Sequence, residues 1–276
     1  MCRWLAYSGS ALLIEDLLYK PQHSLIDQSL HAKLGSQTTN GDGFGVGWYA
    51  DGESPLVYKS VDPVWNDRNL VELSRQIRSH LVLAHIRAST GTPVQQTNCH
   101  PFRHGKWLWM HNGQIANFLQ VKRELVLAVD PSLYASIEGS SDTETFFYLA
   151  LTFGLEQDPI AAVERAVSFI EQVCSRRGAT APIRMSVATT DGHCIWAFRY
   201  SSKGEPPSLY FSTNVQTLRE QYPENQMFRT LSNESRLVVS EPLGSLAGAW
   251  NELPASSAGI IEPGQDELRP FIPRPA

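Results

Sequence analysis

Met1-Cys2-Arg3-Trp4-Leu5-Ala6-Tyr7 opens the chain, and its reading decides the architecture. Strand alternation over residues 2–8 puts Cys2, Trp4 and Ala6 on one face and Arg3, Leu5 and Tyr7 on the other. Methionine trimming requires a small second side chain, and Cys meets that requirement, so Cys2 is expected to become the first residue of the mature chain. A thiol then sits two bonds from a free α-amine. The amine titrates at roughly 7.7–8.0 and an ordinary thiol at about 8.5, so the amine can take the thiol proton near neutral pH. One residue would supply both nucleophile and base. Taken alone, a Cys at the start of a strand is more often a small buried apolar residue. The later segments decide between the two.

The chain has 276 residues, a net charge of −5 and 42% apolar residues, an ordinary composition for a globular protein with a large core. Mild acidity argues against a nucleic-acid or anionic-membrane surface. No run of about 20 apolar residues suggests a membrane span, and the N-terminus does not read as a secretory signal. Cys2, Cys99, Cys174 and Cys194 are widely spaced, with no C-x-x-C pair, so neither a disulfide framework nor a zinc knuckle fits. The expected setting is cytoplasmic, with reduced thiols.

Helical patterns are expected at 10–19 and 23–32. The stretch from Gln37 to Tyr49 follows, containing Asn40-Gly41-Asp42-Gly43-Phe44-Gly45-Val46-Gly47-Trp48. Alternation puts Phe44, Val46 and Trp48 on one face and three glycines on the other, where another backbone or a ligand can come close. It lacks the third glycine and the following helix of a dinucleotide fingerprint. A helix is expected over 66–79 and a strand over 81–88. Both faces of that strand are apolar until His85 and Arg87, as in an inner strand that ends where the core opens. A further strand, 106–111, is read as ending at Asn112-Gly113, before helical spacing from Ile115 onward. Asn-Gly is ordinarily a hairpin signal. Between a strand and a helix it is better placed to aim an amide and a backbone N–H at a ligand. Ser141-Asp142-Thr143-Glu144 reads as a capping box opening the next helix. Asp158 and Pro159 open the clearest helix, 158–177, and strands return after residue 182.

Taken together, Cys2, Asn40-Gly41-Asp42-Gly43, His85-Ile86-Arg87-Ala88-Ser89-Thr90-Gly91, Asn98-Cys99-His100-Pro101-Phe102, His111-Asn112-Gly113 and Ser141-Asp142-Thr143-Glu144 resemble, in order, the signatures of class II glutamine amidotransferase domains, which are N-terminal-nucleophile hydrolases. The match is dense to about residue 155 and looser to Ser240-Glu241-Pro242. It is most similar to stand-alone bacterial members such as the γ-glutamyl hydrolase of ergothioneine biosynthesis. The resemblance implies an α+β fold, a four-layer α/β/β/α sandwich of two mainly antiparallel sheets. A single domain over 2–262 and a Pro-rich extension over 263–276 are expected. It also implies hydrolysis of glutamine or a γ-glutamyl amide through a Cys2 thioester. Asn112 and Gly113 would hold the oxyanion, Arg87 the substrate α-carboxylate and Asp142 its α-ammonium, with Thr90 helping to close over the ligand.

The chemistry asks for these types independently. A thioester divides one hard step into two easier ones. Arg suits a carboxylate better than Lys does, and a zwitterionic substrate needs one fixed charge of each sign. No cofactor is expected. His100 and His104 invite a metal reading, but Pro101 and the absence of a carboxylate set speak against it. Three readings follow: a free-standing γ-glutamyl amide hydrolase, a glutaminase subunit feeding ammonia to a separate synthase, and a non-catalytic glutamine-sensing module. The first is preferred to the second because nothing in the sequence shows a large exposed docking surface, and to the third because nucleophile, oxyanion donors and both clamps are all present.

Overall fold

A computed structural model describes residues 2–34, 39–89 and 91–275, and among them arranges thirteen strands in two antiparallel sheets. The first half of the chain supplies β1 (Arg3–Leu13), β2 (Phe44–Trp48), β3 (Leu56–Ser60), β4 (Arg78–Ile86), β5 (Phe102–His104) and β6 (Trp107–Ile115). The second half supplies β7 (Ile183–Thr190), β8 (Ile195–Ser201), β9 (Tyr210–Ser212) and β10 (Arg236–Val239). Last come β11 (Trp250–Glu252), β12 (Ser257–Glu262) and β13 (Gln265–Pro270). One sheet runs β11-β9-β10-β1-β4-β2-β3 and the other β13-β12-β8-β7-β6-β5. No described helix is long and apolar enough to cross a membrane.

Three apolar layers glue four layers of structure together. Trp4, Ala6, Leu81 and Leu83 of the first sheet meet Leu108, Met110, Ala188 and Ala197 of the second. On the outside of the first sheet, Leu5, Tyr7, Phe44, Val82 and Ile86 pack with Ile14, Leu17, Leu25 and Leu70 from short helices. On the outside of the second, Trp107, Trp109, Met185 and Val187 pack with helices Phe118–Leu127, Asp142–Thr152 and Pro159–Arg176. The period-2 pattern thus buries opposite faces of β1, β4 and β6 in different cores, and the fold is the expected α/β/β/α sandwich.

The glycine face of β2 is filled by backbone. A Cβ on Gly45 would lie 2.2 Å from the carbonyl O of His100, and one on Gly47 would lie 2.8 Å from Leu108 and Pro101. Asn98–Phe102 therefore lies directly on this strand.

Several boundaries differ from those the pattern suggests. Residues 10–13 continue β1, where Leu12 and Leu13 pair with Ser79 and Arg78 after a bulge, and the helix is only Ile14–Leu18. The helix in 66–79 covers Arg68–Ser74, because β4 already begins at Arg78. Residues 265–270 pair with β12, and Phe271 (1% exposed) packs against Phe198 and Tyr200.

Candidate active site

Cys2 stands at the entrance to β1, the strand between β4 and β10. Trp4 fixes this end: its N–H donates to Ser240 Oγ (2.9 Å), and the Ser240 N–H donates to the Trp4 carbonyl (3.0 Å). Alternation turns Cys2 to the same side as Trp4, towards the second sheet. The half-buried thiol accepts from the Ala88 N–H at 3.4 Å. Burial pushes its pKa above the ordinary thiol value, opposed by the Ala88 hydrogen bond and by the positive charges of Arg87 and Arg3.

Cys2 lines a cavity of about 350 Å³ together with Arg87, Gly113 and Asp142. A cavity of about 550 Å³ elsewhere, among Leu12, Leu17, Met227, Phe228 and Trp250, is mainly apolar and holds no cysteine. The smaller one is therefore the candidate active site.

Asn112 and Gly113 do not end their strand. They lie inside β6, opposite Ser186 and Met185 of β7, and the helix starts only at Phe118 after left-handed Asn117. The strand still presents a donor. Beyond residue 109 the β5 edge of β6 is unpaired. There the His111 N–H approaches His100 Nδ1 (3.5 Å) and the Ile115 N–H donates to Asp142 Oδ2 (2.9 Å). Backbone N–H groups alternate along a strand, so that of Gly113 points to the same edge, between these two. The position admits only glycine: a Cβ would sit 1.9 Å from the Arg184 carbonyl O. The Asn112 side chain takes the face of Leu108 and Met110, turned towards the sheet that carries Cys2. It is 3% exposed and is not among the side chains lining the cavity.

Arg87 and Asp142 bring opposite charges to one cavity. The Arg87 guanidinium donates to Thr92 Oγ1 (2.5 Å) and Ser89 Oγ (3.1 Å), while the Ser89 N–H donates to Asp42 Oδ2 (2.7 Å). The backbones of Asp42 and Gly43 bond that of Arg87 (Asp42 N–H to Arg87 O, 3.1 Å; Arg87 N–H to Gly43 O, 2.8 Å), so the Asn40–Gly43 turn holds the arginine. Asp142 opens its helix and accepts from the Thr143 and Ile115 N–H groups (both 2.9 Å). Ser141 caps this helix by accepting from the Glu144 N–H (3.2 Å). The Glu144 carboxylate accepts instead from the N–H groups of Glu138 and Gly139. Thr90 lies outside the described residues.

Sequence reasoning missed part of the wall. His111 lines the cavity, its Nδ1 2.9 Å from Thr143 Oγ1. His100 also lines it and packs tilted against His85, with 4.0 Å between ring centroids. Burial lowers the pKa of all three imidazoles, that of His85 to about 3. The signal for His85 and His111 was a His in an otherwise apolar strand, while the polar loop around His100 carried none. His104 points elsewhere, edge-on to Tyr148. Among the described residues no group of three or more His, Cys, Asp or Glu side chains could hold a metal ion. Phe118, Leu119 and Gln120, at the start of the helix after β6, also line the cavity.

Comparison with known proteins places the chain in a family. The model of the family Glutamine amidotransferases class-II matches residues 20–203. A probable glutamine amidotransferase of Saccharomyces cerevisiae, DUG3, is 32% identical over 99% of this chain and 85% of its own length. The gamma-glutamyl-hercynylcysteine sulfoxide hydrolase of Mycobacterium tuberculosis is 34% identical over 42% of this chain and 50% of its own length. A glutamine aminotransferase class-II domain protein from Silicibacter pomeroyi superposes with a TM-score of 0.76 at 31% identity, covering 99% of this chain and all of that one. The glutamine phosphoribosylpyrophosphate amidotransferase of B. subtilis shares the fold at a TM-score of 0.64 and 16% identity, over 98% of this chain and 49% of its own. With its family matched along most of its length and its fold shared throughout, the chain belongs to the class II glutamine amidotransferases.

Proposed function

We propose that this enzyme hydrolyses glutamine or a γ-glutamyl amide through a thioester on Cys2, releasing glutamate and ammonia or an amine. Removal of Met1 frees the Cys2 amine, which takes the thiol proton. The thiolate attacks the γ-carboxamide carbon, and the oxyanion that forms is held by the Asn112 amide and the Gly113 N–H. Collapse breaks the C–N bond, and the ammonium of Cys2 returns its proton to the leaving nitrogen. The same amine then deprotonates a water that cleaves the thioester and restores the thiol. Arg87 pairs with the substrate α-carboxylate and Asp142 with its α-ammonium. A nucleophilic thiol works only while reduced, which fits a cytoplasmic enzyme.

The observation that carries this reading is the convergence of Cys2, Arg87, Gly113 and Asp142 on one cavity. A zwitterionic head group between the two charges would reach towards the sulfur and the strand-edge donor. The test is release of glutamate from glutamine and from a panel of γ-glutamyl amides by wild type and Cys2→Ala. The reading expects turnover that vanishes in the variant. Equal turnover in both would refute it.

A further inference from the structure

Arg3 and Glu241 take no part in the steps above, yet they are a fully buried ion pair beside the nucleophile. Nε of Arg3 lies 3.1 Å from Oε2 of Glu241, with the side chains 1% and 2% exposed. Burying two opposite charges costs more desolvation than a well-packed apolar pair of the same volume, so stability alone is a poor account of them. Arg3 faces the outer side of its sheet, where its strand neighbours Leu5 and Tyr7 are apolar.

Glu241 is anchored by several groups. Its carboxylate accepts from the Lys33 and Leu34 N–H groups (both 3.0 Å), and His23 Nε2 lies 2.5 Å from Oε1. Arg3 passes this rigidity on: its Nη1 donates to the carbonyl of Cys2 at 3.1 Å. That carbonyl matters because the ladder does not reach Cys2. Pairing of β1 with β4 begins at Arg3↔Ile86, and with β10 at Leu5↔Val239. A terminal Cys2 is joined to the chain by one peptide bond. A fixed carbonyl sets the peptide plane from which its amine and thiol project. Two torsions remain, about Cα–C and Cα–Cβ, and the contact between the thiol and the Ala88 N–H restrains them together.

We propose that Arg3 and Glu241 are a positioning couple for the nucleophile: Glu241 orients the guanidinium, and the guanidinium orients the Cys2 carbonyl. The inference rests on Cys2 being the terminal nucleophile. Arginine suits the task because its fork meets carboxylate and carbonyl with different nitrogens, which a lysine ammonium cannot do in the same geometry.

Two variants separate positioning from folding. Arg3→Lys keeps the charge pair, and Arg3→Met/Glu241→Gln removes both charges together, so neither leaves an unpaired buried charge. Each is measured by thermal melting, steady-state glutamate release normalised to titrated active sites, and the pH profile of Cys2 alkylation by iodoacetamide. The couple predicts folded variants with KM within about twofold of wild type and kcat lowered roughly 10²-fold, as for a misplaced reacting group. The alkylation midpoint should shift away from that of wild type, because the displaced thiol leaves the Ala88 N–H. Wild-type kcat and alkylation profile in both folded variants would overturn the proposal. Failure of both to fold would overturn it too, by making the pair a folding element. A Cys2→Ala enzyme as active as wild type would instead remove the nucleophile reading, and the couple's role with it.

Discussion

Replacing Gly113 with Ala puts a methyl group where the sheet has no space. The added carbon would lie 1.9 Å from the Arg184 carbonyl O and 2.5 Å from His111 Nε2, and φ here is +154°. Real Cβ atoms essentially never approach a neighbour closer than 3.0 Å, so β6 or β7 must yield by about 1 Å. The imidazole can turn, but the carbonyl belongs to the paired strand. Overpacking of about 2 kcal/mol and one weakened ladder bond of about 1 kcal/mol give a loss of about 3 kcal/mol. For a chain of this size that lowers the melting temperature by roughly 6–12 °C. The same displacement moves the Gly113 N–H away from the developing oxyanion, which costs roughly 10²–10³ in kcat. The assay pairs thermal melting with glutamate release at saturating substrate, on material confirmed folded at the assay temperature. A variant that melts within about 2 °C of wild type and keeps its kcat would refute both the packing argument and the donor role.

Arg87→Ala should chiefly raise KM, by roughly 10–100-fold, since a charge-assisted bond to the substrate carboxylate acts in ground and transition states alike; an unchanged KM in steady-state kinetics would exclude that contact. Asn112→Ala should lower kcat by roughly 10²–10³ with little change in melting temperature, and near-normal turnover would remove its amide from the oxyanion site. The buried imidazoles should make the protein sensitive to acid. Burial holds His85 at about 3, below its ordinary value of 6.5, so below 6.5 the unfolded chain takes up a proton that the native state refuses. His85 therefore adds a loss of stability as pH falls from 6.5 towards 3, approaching about 1.4 kcal/mol per pH unit. Chemical denaturation of His85→Asn between pH 6 and 4 should show a slope shallower by about one proton; an unchanged slope would contradict a neutral buried His85.

What could be read from the sequence was local. Alternation assigned Trp4 and Ala6 to one core and Leu5 and Tyr7 to another because one-sided burial leaves a period-2 trace. The glycine face of β2 announced a close approach, although nothing in the letters named the His100 backbone as its occupant. Distant partners overrode local signals elsewhere. Asn112-Gly113 has turn chemistry, yet Ser186 and Met185, more than 70 residues later, hold it in a strand. Ser10–Leu13 lies in a helical pattern, but pairing with Arg78 and Ser79 extends β1 through it. The Arg3–Glu241 pair spans 238 positions. Its only trace was a charged residue on the otherwise apolar outward face of the first strand, and the detached Ser240-Glu241-Pro242 near the end.

Peptide mapping by mass spectrometry after exposure to diazo-oxo-norleucine, a glutamine-like electrophile, tests the central claim most directly. The account predicts one adduct, on the sulfur of an N-terminal peptide that begins at Cys2, with Met1 absent. Labelling at Cys99, Cys174 or Cys194 instead, or an active enzyme that retains Met1 in full, would contradict it.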